Sequence, residues 1–175
     1  MCDLNHAHTD TCSGDDFDAI LSTSTPDAHI AIAEGKQLHF MLAGRAVFTV
    51  VSPKTGARYT YKVTRKEVDE RLMPGGKTSL YFVKVLTGPD NTQDYTFAGT
   101  LFNGGTVYRH SYKSSIGATS PSVVAFQWLL ARLVGGKDLR GVEVFHEGRC
   151  GRCGRALTVP TSIESGFGPE CAGRI

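Results

Sequence analysis

Ala46-Val-Phe-Thr-Val-Val51, followed by Ser52-Pro-Lys-Thr-Gly56 and then Arg58-Tyr-Thr-Tyr-Lys-Val63, is the stretch that decides the fold class. The outer runs are rich in β-branched and aromatic residues, which suit a pleated surface, and the run between them has turn chemistry. Together they read as strand, hairpin loop, strand. On the N-terminal side, Leu38 to Leu42 reads as an earlier strand set off by Ala43-Gly44. On the C-terminal side, Leu80 to Leu86, Tyr95 to Phe102 and Thr106 to Tyr112 read as further strands. Gly88-Pro-Asp-Asn91 and Asn103-Gly-Gly105 supply the turns between them. The expectation is an α+β protein built on an antiparallel meander of about five or six strands.

Two helices are expected around this sheet. Thr25-Pro26-Asp27 has the hydroxyl cap and first-turn proline of a helix start, which gives a short helical run over Ala28 to Ala33, stopped near Gly35. Pro121 to Val134 is the stronger one, with Ser120 at its start and Gly135-Gly136 at its end. Val123, Val124, Phe126, Trp128, Leu129, Leu130 and Leu133 give it a broad apolar surface, and Trp128 is expected to anchor it on the sheet.

A chain of 175 residues with 41% apolar and 21% charged residues is globular in composition and long enough for one domain plus a small module. The expected division is a polar, acidic, disordered tail over 1–24, an α+β domain over 25–137 and a metal module over 138–175. No apolar run approaches the roughly 18 residues of a membrane span, and the start lacks the basic and apolar regions of a secretory signal. A cytoplasmic location is therefore expected, the host cytoplasm if the chain is phage-encoded. The net charge of +2 hides an asymmetry: residues 1–34 carry −7 and the rest +9. A basic body attracts polyanions, although a solvated mixed-charge surface is the plainer alternative.

The strongest chemical signal is His146-Glu-Gly-Arg-Cys150-Gly-Arg-Cys153-Gly with Cys171 downstream. Cysteine pairs at this spacing, each followed by glycine, form a tight knuckle in which backbone amides turn toward the thiolates. In a reducing compartment, three such cysteines suit Zn2+ better than a disulfide with a leftover thiol. His146, Cys150, Cys153 and Cys171 are the expected ligands, with Glu147, Glu170 or water as alternatives to the histidine. A Cys3His shell leaves no open position, and the H-x-E…P-C-x-x-C deaminase signature is missing, so a structural rather than catalytic site is expected. The metal would fold a segment whose apolar residues are too few for an independent core.

Arg140, Arg149, Arg152, Arg155 and Arg174 surround the module and are candidates for a phosphate-facing surface. They could equally balance the thiolates or pair with Glu143, Glu147, Glu164 and Glu170. A weaker set, Cys2, His6, His8 and Cys12, lies in the acidic start and reads as tail, or as a metal site formed with a partner. No catalytic residue is assigned. The nucleotide-binding, nucleophile-elbow and zinc-protease motifs do not occur, and Glu67, Asp90 and Asp94 have only their loop positions to suggest a carboxylate site.

Cys150-Gly-Arg-Cys-Gly-Arg-Ala-Leu-Thr158, Ser162-Ile163 and Gly166-Phe-Gly-Pro-Glu-Cys171 resemble the C-terminal signature of a phage and bacterial family, domain of unknown function 6011. Ala46 to Thr49, Gly56 to Tyr61 and Tyr81 to Asp90 resemble the region that often precedes it, so the likeness spans roughly residues 40 to 172. The resemblance implies a phage or mobile-element setting and a metal-binding tail, with no established activity. Three functions follow as expectations. The first is binding of nucleic acid or a nucleoprotein complex. The second is a protein-binding inhibitor of host defence, anti-CRISPR in type, and the third is an unrecognised enzyme.

Overall fold

The structure, a computed structural model, describes residues 30–68 and 78–174. The acidic tail, the cap at Thr25-Pro26-Asp27 and the set Cys2, His6, His8 and Cys12 lie outside the described residues.

Seven strands form one antiparallel sheet: β1 (Ile30–Ala31), β2 (Arg45–Val51), β3 (Arg58–Val68), β4 (Thr78–Leu86), β5 (Tyr95–Phe102), β6 (Val107–His110) and β7 (Glu143–His146). Their spatial order is β1-β7-β2-β3-β4-β5-β6. The chain folds as the α+β protein its residues imply, and β2 through β6 are the expected meander. The additional strands are β1 and β7. The segment that opens the cysteine module supplies β7, which pairs with β2 on one side through Phe48↔His146 to Val51↔Glu143 and with β1 on the other.

Helix α1 (Gln37–Met41) follows β1, and helix α2 (Pro121–Val134) follows β6. Here the N-terminal expectations are corrected. Ile30–Ala31, expected to be helical, is a strand, because the outer edge of β7 offers backbone groups that need partners. Ile32 N–H continues the pairing to the Val144 carbonyl at 2.8 Å. Leu38 to Leu42, expected to be a strand, lies in α1 and its C-terminal cap. Its buried residues Gln37, Phe40 and Met41 are spaced three and four apart, the period of one helix face. Helix α2 matches its expected bounds, and although Ser120 occupies the cap position its hydroxyl makes no capping bond.

The core lies on the side of the sheet that both helices cover. Ala46, Phe48 and Val50 from β2, Tyr61 and Val63 from β3 and Tyr81, Val83 and Val85 from β4 alternate inward. They meet Val123, Phe126, Leu129 and Leu130 of α2 and Phe40 and Met41 of α1. The rings of Phe48, Tyr61, Phe126 and Tyr108 form a continuous chain, with successive centroids 5.6, 5.2 and 5.4 Å apart. Tyr61 Oη donates to the Ser122 carbonyl at 2.7 Å, which ties the sheet to the start of α2 and satisfies a hydroxyl within the core. Trp128 is partly buried against this cluster, with the Arg132 guanidinium 5.6 Å from its ring. Side chains at the alternate positions point to the opposite face, which neither helix covers.

Candidate metal centre

The cysteine module is built from short turns after β7. Arg149 bridges to Ala156, Cys150 N–H donates to the Arg155 carbonyl at 2.8 Å, and Gly154 N–H returns to the Cys150 carbonyl at 2.8 Å. This closes a loop around Cys153, with Gly154 at φ +77°, where a side chain would be strained. Helix α3 (Pro160–Ser165) then ends in a Schellman turn: Gly166 at φ +74° donates to Ile163 O and Phe167 N–H donates to Ser162 O. That reversal leads into helix α4 (Pro169–Ala172), which carries Cys171 back to the knuckle.

The three sulfurs of Cys150, Cys153 and Cys171 lie within 4.8 Å of one another. Among the described residues this is the one group of three or more Cys, His, Asp or Glu side chains able to converge on a metal ion, and none of the three is in a disulfide. A tetrahedral centre with metal–sulfur bonds of about 2.3 Å would place sulfurs about 3.8 Å apart, so the spacing suits such an ion. The electrostatics fit as well. Burial opposes ionisation of the Cys150 thiol, but the amides of Cys153, Gly168 and Arg152 donate to its sulfur and bring its pKa down to about 7. The Cys171 thiol is pushed up to about 11 by burial, by hydrogen bonding with the Cys153 and Cys150 sulfurs and by repulsion from them. Three thiolates this close repel unless a cation sits between them.

The expected fourth donor, His146, is not brought to this cluster. Its Nε2 lies 2.8 Å from the Ile163 carbonyl oxygen, and its Nδ1 receives the Gly148 N–H at 3.1 Å. A carbonyl only accepts and an amide N–H only donates, so the ring is the neutral tautomer with its proton on Nε2, and both nitrogens are engaged. At 1% exposure the imidazole is a core residue that fastens β7 to α3. Its pKa is lowered by burial, against the opposing pull of the Ile163 carbonyl. The inference that the shell has no open position therefore loses its fourth protein ligand. Glu170 lines the same pocket of about 240 Å³ as the three cysteines, but its carboxylate does not converge with the three sulfurs.

Phe40 was not singled out in the sequence, yet it seats the module. Its ring lies 5.4 Å from that of His146 and 5.7 Å from that of Phe167. A Cβ on Gly151 or on Gly166 would come within 2.8 Å of the Phe40 ring, so both glycines are needed for close approach. Arg45 N–H also donates to the Gly151 carbonyl at 2.7 Å, binding the knuckle to the start of β2. The signal that could have found this is the glycine between the two cysteines, which a ring in the preceding domain requires to be small.

Of the predicted basic residues, Arg140, Arg149, Arg155 and Arg174 are exposed and Arg152 is half-buried. Arg149 donates to the Gly154 carbonyl at 3.3 Å, and the Arg140 backbone N–H caps Asp138. Among the described residues none of the five pairs with Glu143, Glu164 or Glu170; the carboxylate contact seen is Arg65 with Glu67 at 3.6 Å. Asp90 and Asp94 are used in their own loop: Asp90 accepts from Thr92, which lowers its pKa, and Asp94 accepts from the Asp90 N–H. Knuckle and sheet share one large concavity of about 1210 Å³, which runs from Cys153, Gly154 and Arg149 onto the uncovered face.

Fold and site together define a small antiparallel α+β protein with a C-terminal three-cysteine module. Residues 142–175 of that module match DUF6011, a family of unknown function. No curated protein and no solved structure matches the chain. Among the described residues no helix is long and apolar enough to cross a membrane.

Proposed function

We propose that the protein holds Zn2+ on Cys150, Cys153 and Cys171 and acts by binding nucleic acid, alone or within a nucleoprotein complex, in the phage or mobile-element setting that the family resemblance implies. Zinc suits an all-thiolate donor set with amides directed at a sulfur, and would supply the charge that lets three crowded thiols ionise together. The observation that carries the binding reading is the state of the module's arginines. Arg140, Arg152, Arg155 and Arg174 have no carboxylate partner among the described residues, so their charge is available to an external polyanion. Arg149 extends the basic surface into the large concavity.

The test is binding of random DNA and RNA to the zinc-loaded chain at several salt concentrations, with Arg152→Ala and Arg155→Ala alongside. Binding should weaken steeply with salt, and each arginine lost should reduce the log–log salt slope by about 0.7 to 0.9. No binding to either nucleic acid, together with a stoichiometric complex with a host protein, would replace this reading with the protein-inhibitor one.

A further inference from the structure

The uncovered face of the sheet has a composition that core packing does not explain. On it, Lys62 of β3 stands directly opposite Lys84 of β4, and Val47 of β2 stands on the other side of Lys62. Like charges placed opposite each other on one face repel, so this pair carries a cost in the free protein. The concavity over this face is lined by Arg45, Arg58, Lys62 and Arg149, with Glu147 as the acidic residue of its lining, while Arg65 at its rim stands in register with the inward Tyr81 and is engaged by Ser79 and Glu67.

Aromatic rings lie among these cations. The Lys62 ammonium sits 5.2 Å from the Tyr95 ring centroid, and the Arg109 guanidinium 5.3 Å from that of Phe102. Phe82 and Phe97 form a pair at 6.1 Å on the same face. All four rings are half-buried. Among the described residues the Tyr95 hydroxyl has no hydrogen-bond partner.

From this juxtaposition we infer that a single strand of nucleic acid lies along the open sheet face, with its phosphates on Arg45, Lys62, Lys84 and Arg149 and its bases stacked on the aromatic row. The inference rests on the nucleic-acid reading above and deepens it by naming the surface and the form of the ligand. Charge complementarity selects a polyanion, and a polyanion relieves the repulsion between Lys62 and Lys84. The aromatic row selects unpaired bases, because stacking requires a base with a free π-face, which a duplex buries. An acidic peptide would meet the cations and leave the rings unused. The trough continues into Arg149, Cys153 and Gly154, so the knuckle forms one end of the same path.

The experiment is fluorescence anisotropy on the full zinc-loaded chain, with mixed-sequence single-stranded DNA, single-stranded RNA and duplex DNA of about 20 nucleotides. Single strands should bind at least tenfold more tightly than duplex. With four phosphates neutralised, affinity should fall about fiftyfold between about 50 and 200 mM salt. The double substitution Lys62→Gln with Lys84→Gln should weaken single-strand binding tenfold or more while leaving the melting temperature unchanged or higher, since it removes a repulsion. Tyr95→Leu should weaken it without changing the salt slope. Tighter binding of duplex, or unchanged affinity in the double variant while Arg152→Ala and Arg155→Ala lose it, would overturn the sheet-face site and leave the nucleic-acid reading standing. No binding of any of the three ligands would overturn both.

Discussion

His146 donates from Nε2 to the Ile163 carbonyl oxygen, 2.8 Å away, and thereby locks the last strand of the sheet to the helix that precedes Cys171. With both ring nitrogens engaged by backbone groups, His146 serves here as a structural tie. Long-range 1H–15N spectra of the zinc-loaded protein should show its ring as the neutral Nε2–H tautomer. Zinc content per folded chain should survive His146→Gln and be lost in Cys153→Ser. A metal-shifted nitrogen resonance for His146 would contradict this placement.

The same burial sets a pH dependence. Because the folded protein holds His146 at a lowered pKa, the unfolded chain binds the extra proton first as pH falls. The stability from a neutral His146 is fully present above about pH 6.5 and declines as pH falls from there toward the folded value. Cysteine protonation also weakens metal binding in acid, so the comparison is between wild type and His146→Gln at equal zinc. The wild type should lose more melting temperature between pH 7 and 5, and parallel profiles would sink the assignment.

Phe40 is the seat of the module. Phe40→Ala should cost about 3–5 kcal/mol, the usual range for removing a buried phenylalanine. It should also speed zinc transfer to a competing chelator, because the glycines at 151 and 166 lose the ring they pack against. Gly151→Ala should act in the same direction from the other side of the contact. A Phe40→Ala protein with unchanged melting temperature and unchanged zinc release would show that the module does not depend on this docking.

The three thiols should differ in reactivity once metal is removed. Cys150, with amides directed at its sulfur, should be alkylated with a midpoint near pH 7, and Cys171 only at much higher pH, near its value of about 11. Zinc should protect both. Mass spectrometry of iodoacetamide-treated apo protein gives the order, and faster alkylation of Cys171 at neutral pH would reverse the electrostatic account.

How much of this was legible in the sequence varies with how local the determinant is. Pro121–Val134 and Tyr95–Phe102 have the bounds their sequences suggest, because proline, glycine and apolar periodicity punctuate them locally. Ile30–Ala31 departs from its expected helix because pairing with a strand more than a hundred residues later decides it, and Gln37–Met41 from its expected strand because Leu38, Phe40, Met41 and Leu42 fit either period. The cysteine triad was legible from spacing alone. The role of His146 was not, since spacing suits a ligand while its partner, the Ile163 carbonyl, is a backbone group with no sequence mark. The basic sheet face was also hidden: Arg45, Lys62 and Lys84 come together only through strand register, whereas Arg149, Arg152 and Arg155 of the knuckle lie close together in the sequence.

Zinc per chain, measured on protein purified without added metal and repeated for Cys153→Ser, tests the central claim most directly. The account predicts one zinc per chain in the wild type and essentially none in the variant, with the melting temperature falling accordingly. A folded wild-type protein that holds no zinc and takes up none when it is supplied would contradict it.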